Sequence, residues 1–179
     1  MAKAEFAANQ AQHVITNIAM ADTKATWTFA VLAGVIGYVV SQTDVVSAVV
    51  SAERPWLAAL AGLALAALLL GAGAAFLVIL PRTSGAPGGI FFFGAVAVRA
   101  DAGAYLDELQ PLSHGALIEA RIRHNFEIAR VCRRKYRVLR LAMLSGVIGL
   151  GLAVTLVAVT RTFRTAPIAA PERPQPAAR

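Results

Sequence analysis

Three long stretches without a charged residue constrain the fold of this chain more than any other feature of its sequence. They cover residues 25–43, 55–81 and 141–160, and as helices they reach about 28, 40 and 30 Å at about 1.5 Å per residue. Each can therefore cross a hydrocarbon core that is about 30 Å thick. A mean hydropathy of +0.63 is also typical of a membrane protein. We predict an all-α integral membrane protein with three transmembrane helices, at residues 26–46, 56–80 and 140–160.

Lysine and arginine are distributed unevenly between the two sides of these spans. The segment from Arg82 to Arg140 carries ten basic and five acidic residues, whereas the connection between the first two uncharged stretches has one basic residue, Arg54. By the positive-inside rule, residues 81–139 form a cytosolic basic helical segment, and residues 1–25 are cytosolic too. Residues 161–179 are predicted to form a disordered tail on the opposite side, since their end is rich in Pro and Ala.

Both predicted cytosolic segments show helical periodicity. Residues 1–25 are predicted to form an amphipathic helix, with four apolar residues toward one side: Phe6, Val14, Ile15 and Ile18. In the central segment, Ile90–Val98 is apolar for only nine residues, about 13 Å as a helix, and is too short to cross. Asp101 is placed to cap a short helix that ends before Pro111, and a long helix is expected to begin at Ser113.

The long helix carries an apolar stripe at spacings of three and four residues, and its arginines project away from that stripe. No helix breaker separates it from the third span, so we expect one rigid rod that enters the membrane. The predicted stripe consists of Ile118, Ile122, Phe126, Ala129, Cys132, Tyr136 and Leu139.

Small residues recur every four positions in the second and third spans, where such rows let helix backbones approach closely in lipid. Two interpretations are open: alanine and glycine are abundant in this chain, or the rows pack helices within or between subunits. The second interpretation predicts a homo-oligomer. The two rows are Ala58, Gly62 and Ala66, and Ser145, Gly149 and Ala153.

The sequence has no motif of a catalytic or metal site. It lacks paired-histidine metal spacing, a nucleophile elbow and a glycine-rich phosphate loop. The three histidines, His13, His114 and His124, fall in different segments and are expected on solvated surfaces. The single cysteine, Cys132, allows no intrachain disulfide. With no catalytic motif, we predict a protein that is not an enzyme. The three uncharged stretches hold no Asp, Glu, His, Lys or Arg, which also disfavours a proton-coupled transporter or a charge-lined pore.

Charged residues at the membrane edge allow both a structural and a ligand-binding interpretation. Asp22 and Lys24 either cap the first span and reach toward lipid headgroups, or contact a ligand. The basic helix is either a solvated face attracted to anionic lipid or an anion site. In such a site, arginine forks would hold phosphate oxygens, and Tyr136 or Phe93 would stack on a base.

The order of short motifs along the chain resembles that of a known family. Ala21-Asp22-Thr23-Lys24-Ala25 stands at the first span, an aromatic run occupies Ile90–Gly94, and Asn125 and the Lys135-Tyr136 pair precede the third span. This arrangement resembles the transmembrane effectors of pyrimidine cyclase antiphage (Pycsar) systems, the PycTM family. The resemblance covers about residues 10–160, and the Ala-Asp-x-Lys-Ala element is its most specific part.

The resemblance implies a two-gene defence module in the inner membrane of a bacterium. A partner cyclase would make cyclic CMP or cyclic UMP on infection, and the effector would sense it and impair the membrane before phage mature. The nucleotide would be an activating ligand, with no further cofactor, metal or nucleic acid polymer expected. Two rival functions remain open: a holin-like toxin that needs no ligand, and a passive scaffold subunit of a larger membrane complex.

With this resemblance, the nucleotide is expected to bind among the amino-terminal helix, its junction with the first span, and the long basic helix. The residues expected to bind it are Asp22, Lys24, Asn125, Lys135 and Tyr136.

Overall fold

The chain is helical and contains no strand over the residues that the computed structural model describes, which are 2–50, 54–80 and 89–165. Three of the helices, α1, α3 and α6, are long and apolar enough to cross a membrane. The predicted all-α fold with three spans, the last continuous with a long charged helix, is therefore confirmed. The helices are α1 (Ala2–Ser41), α2 (Thr43–Val50), α3 (Pro55–Ile79), α4 (Phe93–Ala97), α5 (Ala102–Leu109) and α6 (His114–Thr165).

Helix α1 joins two segments that the sequence analysis separates. The amino-terminal helix of residues 1–25 and the span of residues 26–46 form one helix of 40 residues, which ends at Ser41 instead of residue 46. The Ser41 hydroxyl bonds back to a carbonyl in the last turn of α1. The carbonyl of Gln42 then accepts from the N–H groups three and four residues later, which starts α2. The polar Ser-Gln-Thr run therefore ends helix α1 five residues before the predicted end of the first span.

Helices α3 and α6 are antiparallel over the length of the spans. Leu57, near the start of α3, packs with Leu156 toward the end of α6. Val78, near the end of α3, packs with Leu139, which lies about halfway along α6, and Ala25 of α1 joins the same cluster. The apolar core therefore runs through the middle of a three-helix bundle.

Glycines set the closest approach of α3 to α6. A Cβ on Gly71 would lie 3.0 Å from the backbone nitrogen of Gly146, and a Cβ on Gly149 would lie 2.8 Å from the backbone nitrogen of Leu68. The predicted row on α6 is buried here, so it packs helices within the chain. The predicted row on α3, centred on Gly62, is exposed instead. Its sequence could not show this, because a helix that is apolar on every side gives no indication of its packing face. The homo-oligomer stays a prediction.

The apolar stripe predicted for the charged half of α6 is only partly correct, because Ala129 and Tyr136 are half-buried and Leu139 is buried, but two other members are exposed. Ile122 and Phe126 of that stripe are 45% and 66% exposed, whereas Asn125 and Lys135 are buried. The prediction is wrong at these positions because α1 presents small residues to α6. The room that they leave is filled by polar side chains that bond to α1.

The apolar face predicted for the amino-terminal helix is also only partly correct. Val14 and Ile18 are half-buried, but Phe6 and Ile15 are exposed. Ala7 is fully buried beside Phe6. Backbone proximity therefore decides the packing face of α1 more than side-chain size does.

The predicted helix starts in the central segment are confirmed. The Asp101 carboxylate accepts a hydrogen bond from the N–H three residues later at 2.8 Å and caps α5. The Ser113 hydroxyl accepts in the same way at 3.2 Å at the start of α6. Helix α6 continues to Thr165, so residues 161–165 are helical and the predicted tail begins too early. Residues 81–88 of the central segment and residues 166–179 of the predicted tail lie outside the described residues.

Candidate functional site

The charged halves of α1 and α6 lie side by side and run parallel. We call their contact the seam, and it joins residues 4–25 of α1 to residues 125–139 of α6. Seven of the buried and half-buried positions in this part of α1 recur every three and four residues, as in a coiled coil. Most of them are alanine, which lets the two backbones approach closely. These positions are Ala4, Ala7, Ala11, Val14, Ile18, Ala21 and Ala25.

An ion pair crosses the seam at the membrane end. The Lys135 ammonium lies 2.5 Å from a carboxylate oxygen of Asp22, and the side chains are 10% and 37% exposed. Leu139 and Ala25, one turn farther along each helix, belong to the apolar core. The pair therefore sits at the boundary between the polar seam and the spans, where the ammonium is shielded and the carboxylate is partly hydrated.

Two further polar side chains of α6 bond to the backbone of α1. Asn125, only 2% exposed, donates through Nδ2 to the carbonyl of Ala7 at 2.7 Å. The Tyr136 hydroxyl donates to the carbonyl of Asn17 at 3.3 Å. Asn125 Oδ1 is buried and has no hydrogen-bond partner among the described residues, a situation that costs about 1–3 kcal/mol. Hydrogen bonds and an ion pair therefore hold the seam together, but one of its buried polar atoms has no hydrogen-bond partner in the described part of the chain.

The structure brings four of the five predicted ligand residues together along the seam. Asp22, Asn125, Lys135 and Tyr136 all take part in contacts between α1 and α6. Lys24 does not join them: its side chain is exposed, and two positions along a helix place it on the far side from Asp22. These four residues therefore bond to each other or to the backbone of α1, and only Asn125 Oδ1 is buried without a partner among the described residues.

A cavity of about 340 Å³ lies beside the seam, between the first half of α6 and the segment that runs from Gly89 to Leu112. Its volume falls within the range of about 300–1,000 Å³ that small-molecule sites occupy. Its wall combines aromatic rings with charged groups, which suits a ligand that has both a flat apolar part and an ionic part. The residues that carry this character are Phe91, Phe92, Glu108, Arg123, His124 and Glu127.

Bonds within the wall fix the shape of the cavity. The Tyr105 hydroxyl donates to the carbonyl of Ile90 at 2.7 Å and holds the aromatic segment against α5. The Arg99 guanidinium lies 2.6 Å from the Glu108 carboxylate. That hydrogen bond lowers the pKa of Glu108, so the carboxylate stays ionised. The Phe91 ring is 6.2 Å from the His124 ring and anchors the segment to α6.

Phe93, one of the two residues predicted to stack on a base, is 67% exposed and does not line the cavity, whereas Phe91 of the same aromatic run does. His124 was expected on a solvated surface but is half-buried against Phe91. Arg123 and Glu127 were not singled out. The one sequence signal that could have linked them is spacing, because residues 120, 123, 124 and 127 fall on the same face of a helix. The described residues include no cluster of His, Cys, Asp and Glu able to hold a metal.

Cys132 lies half-buried on α6 and provides a native reporter of the seam. Burial raises the pKa of its thiol, despite the nearby positive charge of Lys135. Since the thiolate is the reactive form, we expect iodoacetamide to alkylate the folded protein more slowly than a free cysteine at pH 7. The rate should rise with pH and should increase on denaturation. Equal rates for the folded and the denatured protein would contradict the burial of this thiol.

Comparison with known protein families shows which family the chain belongs to. Residues 6–162 match the Pycsar effector protein domain, PycTM. Searches of curated proteins and of solved structures found no match. The matched range contains the cavity and nearly all of the seam and of the three apolar helices, and this architecture fits a non-enzymatic membrane effector. The match also links the protein to antiphage defence, to a cyclase and to a cyclic nucleotide signal. The chain therefore belongs to the Pycsar effector family.

Proposed function

We propose that this protein is the membrane effector of a two-gene antiphage system and that cyclic CMP or cyclic UMP activates it. A partner cyclase supplies the nucleotide during infection, and the activated effector impairs the inner membrane, so that the cell dies before phage mature. One observation carries the proposal. A single 52-residue helix, α6, bears the cavity wall near one end and a membrane span at the other.

The proposed ligand site is the cavity beside the seam. A nucleotide base would stack on Phe91, and the Arg123 guanidinium would hold the cyclic phosphate. Arg121 lies with its guanidinium carbon 5.8 Å from the centre of the Phe91 ring and adds positive charge at the same place. This arrangement supplies the aromatic surface and the cation that a negatively charged nucleotide requires.

Binding would act on the membrane through the seam. A ligand wedged between Phe91 and α6 would shift the charged half of α6 against α1. In this proposal Asp22, Asn125, Lys135 and Tyr136 hold the resting position and do not contact the nucleotide. Lys24 remains a predicted ligand residue on its sequence context alone. Because the uncharged stretches offer no charged lining for a preformed pore, the membrane would be breached by repacking of the spans.

The test is dye release from liposomes that contain the full-length protein. We expect release to depend on added cyclic CMP or cyclic UMP. In Phe91→Ala the half-maximal concentration should rise about 5- to 150-fold, the equivalent of the about 1–3 kcal/mol that one stacked base contributes. Phe93→Ala removes an exposed ring of the same run and serves as the matched control, with an unchanged response.

Three outcomes would overturn the proposal. Equal release with and without nucleotide would favour the holin-like toxin. No release under any nucleotide would favour the passive scaffold. A loss of response in Phe93→Ala as large as that in Phe91→Ala would remove the cavity from the mechanism.

A further inference from the structure

We propose that the cavity prefers cytosine to uracil and that the Glu127 carboxylate makes the distinction. This inference rests on the proposed function, because it concerns which cyclic pyrimidine nucleotide the cavity takes. The sequence alone leaves that choice open. The cavity wall supplies the chemistry that decides it.

The two carboxylates that line the cavity are not equivalent. Glu108 is committed to Arg99, whose guanidinium lies 2.6 Å away. Glu127 lines the same cavity, and none of the described residues forms an ion pair with it. Its oxygens are therefore available as hydrogen-bond acceptors for a ligand.

Cytosine and uracil differ in the group that such an acceptor would meet. Cytosine carries an exocyclic amine that donates, and a glutamate that accepts from this amine is an established way to recognise the base. Uracil has a carbonyl oxygen at that position. Two acceptors facing each other leave both without a partner, which disfavours binding. A carboxylate that faces this exocyclic group therefore selects cytosine.

The positions of the other charged groups leave Glu127 at the base end. Arg123 lies one turn earlier on the same face of α6, about 6 Å away along the helix axis. Its Nε and Nη2 donate to Glu119 outside the cavity at 3.2 and 2.6 Å, which positions the guanidinium and leaves Nη1 to donate to a phosphate. A phosphate at Arg123 would place the base toward Glu127 and Phe91, because the carboxylate repels the phosphate.

The test is a pair of calorimetric titrations of the full-length protein in detergent, with cyclic CMP and with cyclic UMP. We expect cyclic CMP to bind about 10- to 100-fold more tightly, as expected for one hydrogen bond that distinguishes two bases. Glu127→Gln should bring the ratio close to one, since an amide can accept from the amine or donate to the carbonyl. Asp107→Asn removes an exposed carboxylate of α5 outside the cavity and should keep the wild-type ratio.

Equal affinities for the two nucleotides, or tighter binding of cyclic UMP, would overturn the inference and leave the proposed function standing. A wild-type preference that persists in Glu127→Gln would show that another group reads the base and would also overturn it. Failure of both nucleotides to bind the wild-type protein would overturn the proposed function and this inference together. The wild-type comparison stands without any variant, so it decides the preference even where a substitution impairs folding.

Discussion

Replacing Gly149 by leucine is expected to force α3 and α6 apart and to leave little folded protein. A Cβ at this position would lie 2.8 Å from the backbone nitrogen of Leu68 and 2.8 Å from its Cγ. Backbone cannot move aside as a flexible side chain can, so the whole helix must shift. Overpacking of a core commonly costs about 1–3 kcal/mol, and a clash with backbone places this variant at or above about 3 kcal/mol.

Gly151 offers a matched control two residues away on the same helix. A Cβ there would meet nothing within 4 Å, so a leucine side chain would extend into lipid. Gly151→Leu should be neutral or slightly stabilising, because glycine in a helix interior is worse than an ordinary helix former by about 0.5–1 kcal/mol. The measurement is unfolding in detergent followed by circular dichroism. Equal stability of the two variants would contradict the close approach of α3 and α6.

Gly149 also shows how far sequence reasoning reaches in this protein. The uncharged stretches fix three spans, and the four-residue spacing of small residues correctly marks Gly149 as a packing position. The partner helix face was not predictable, because α3 is apolar all round. Its exposed Gly62 and its packed Gly71 stand in similar surroundings in the sequence.

The seam is a different case, because the hydrophobic pattern there marks the packing face correctly at Tyr136 and Leu139 but not at Phe126. Phe126 continues an apolar stripe and is exposed, whereas its neighbour Asn125 is buried. A packing face built on alanine in one helix and on bonded polar side chains in the other has a weak hydrophobic signature. Only knowledge of the partner, Ala7 of α1, explains why an asparagine is the buried residue.

The candidate site was predictable in part for the same reason. Asp22 and Lys135 were both singled out from their local motifs, but they are separated by more than 100 residues and their pairing needs the fold. The cavity depends on which ring of the aromatic run turns toward α6, and periodicity cannot decide this in a segment with so little regular structure. Local chemistry was therefore visible in the sequence, whereas the assembly of the site was not.

The second large effect is the loss of stability expected when the Asp22–Lys135 ion pair is broken. The size of the loss should depend on which of the two partners is replaced. Asp22→Asn leaves the Lys135 ammonium, 10% exposed, without its counter-charge. Breaking a buried pair by removing one partner costs about 3–5 kcal/mol, and the partial hydration of this pair places the variant at the lower end. Lys135→Met instead leaves a carboxylate that is 37% exposed and can be hydrated, while the thioether fills the space. We expect this variant to lose about 1 kcal/mol.

The double variant Asp22→Asn/Lys135→Met tests whether the two side chains stabilise the protein through their mutual interaction. Once the ammonium is gone, the loss of the carboxylate should cost little, so the double variant should be about as stable as Lys135→Met alone. Unfolding in detergent measures all four proteins, and additive losses would show that the pair is not coupled. Dye release gives a second readout. If the pair holds the resting position of α6, Asp22→Asn should release dye without nucleotide, whereas a tight and inactive Asp22→Asn protein would remove the pair from the gating mechanism.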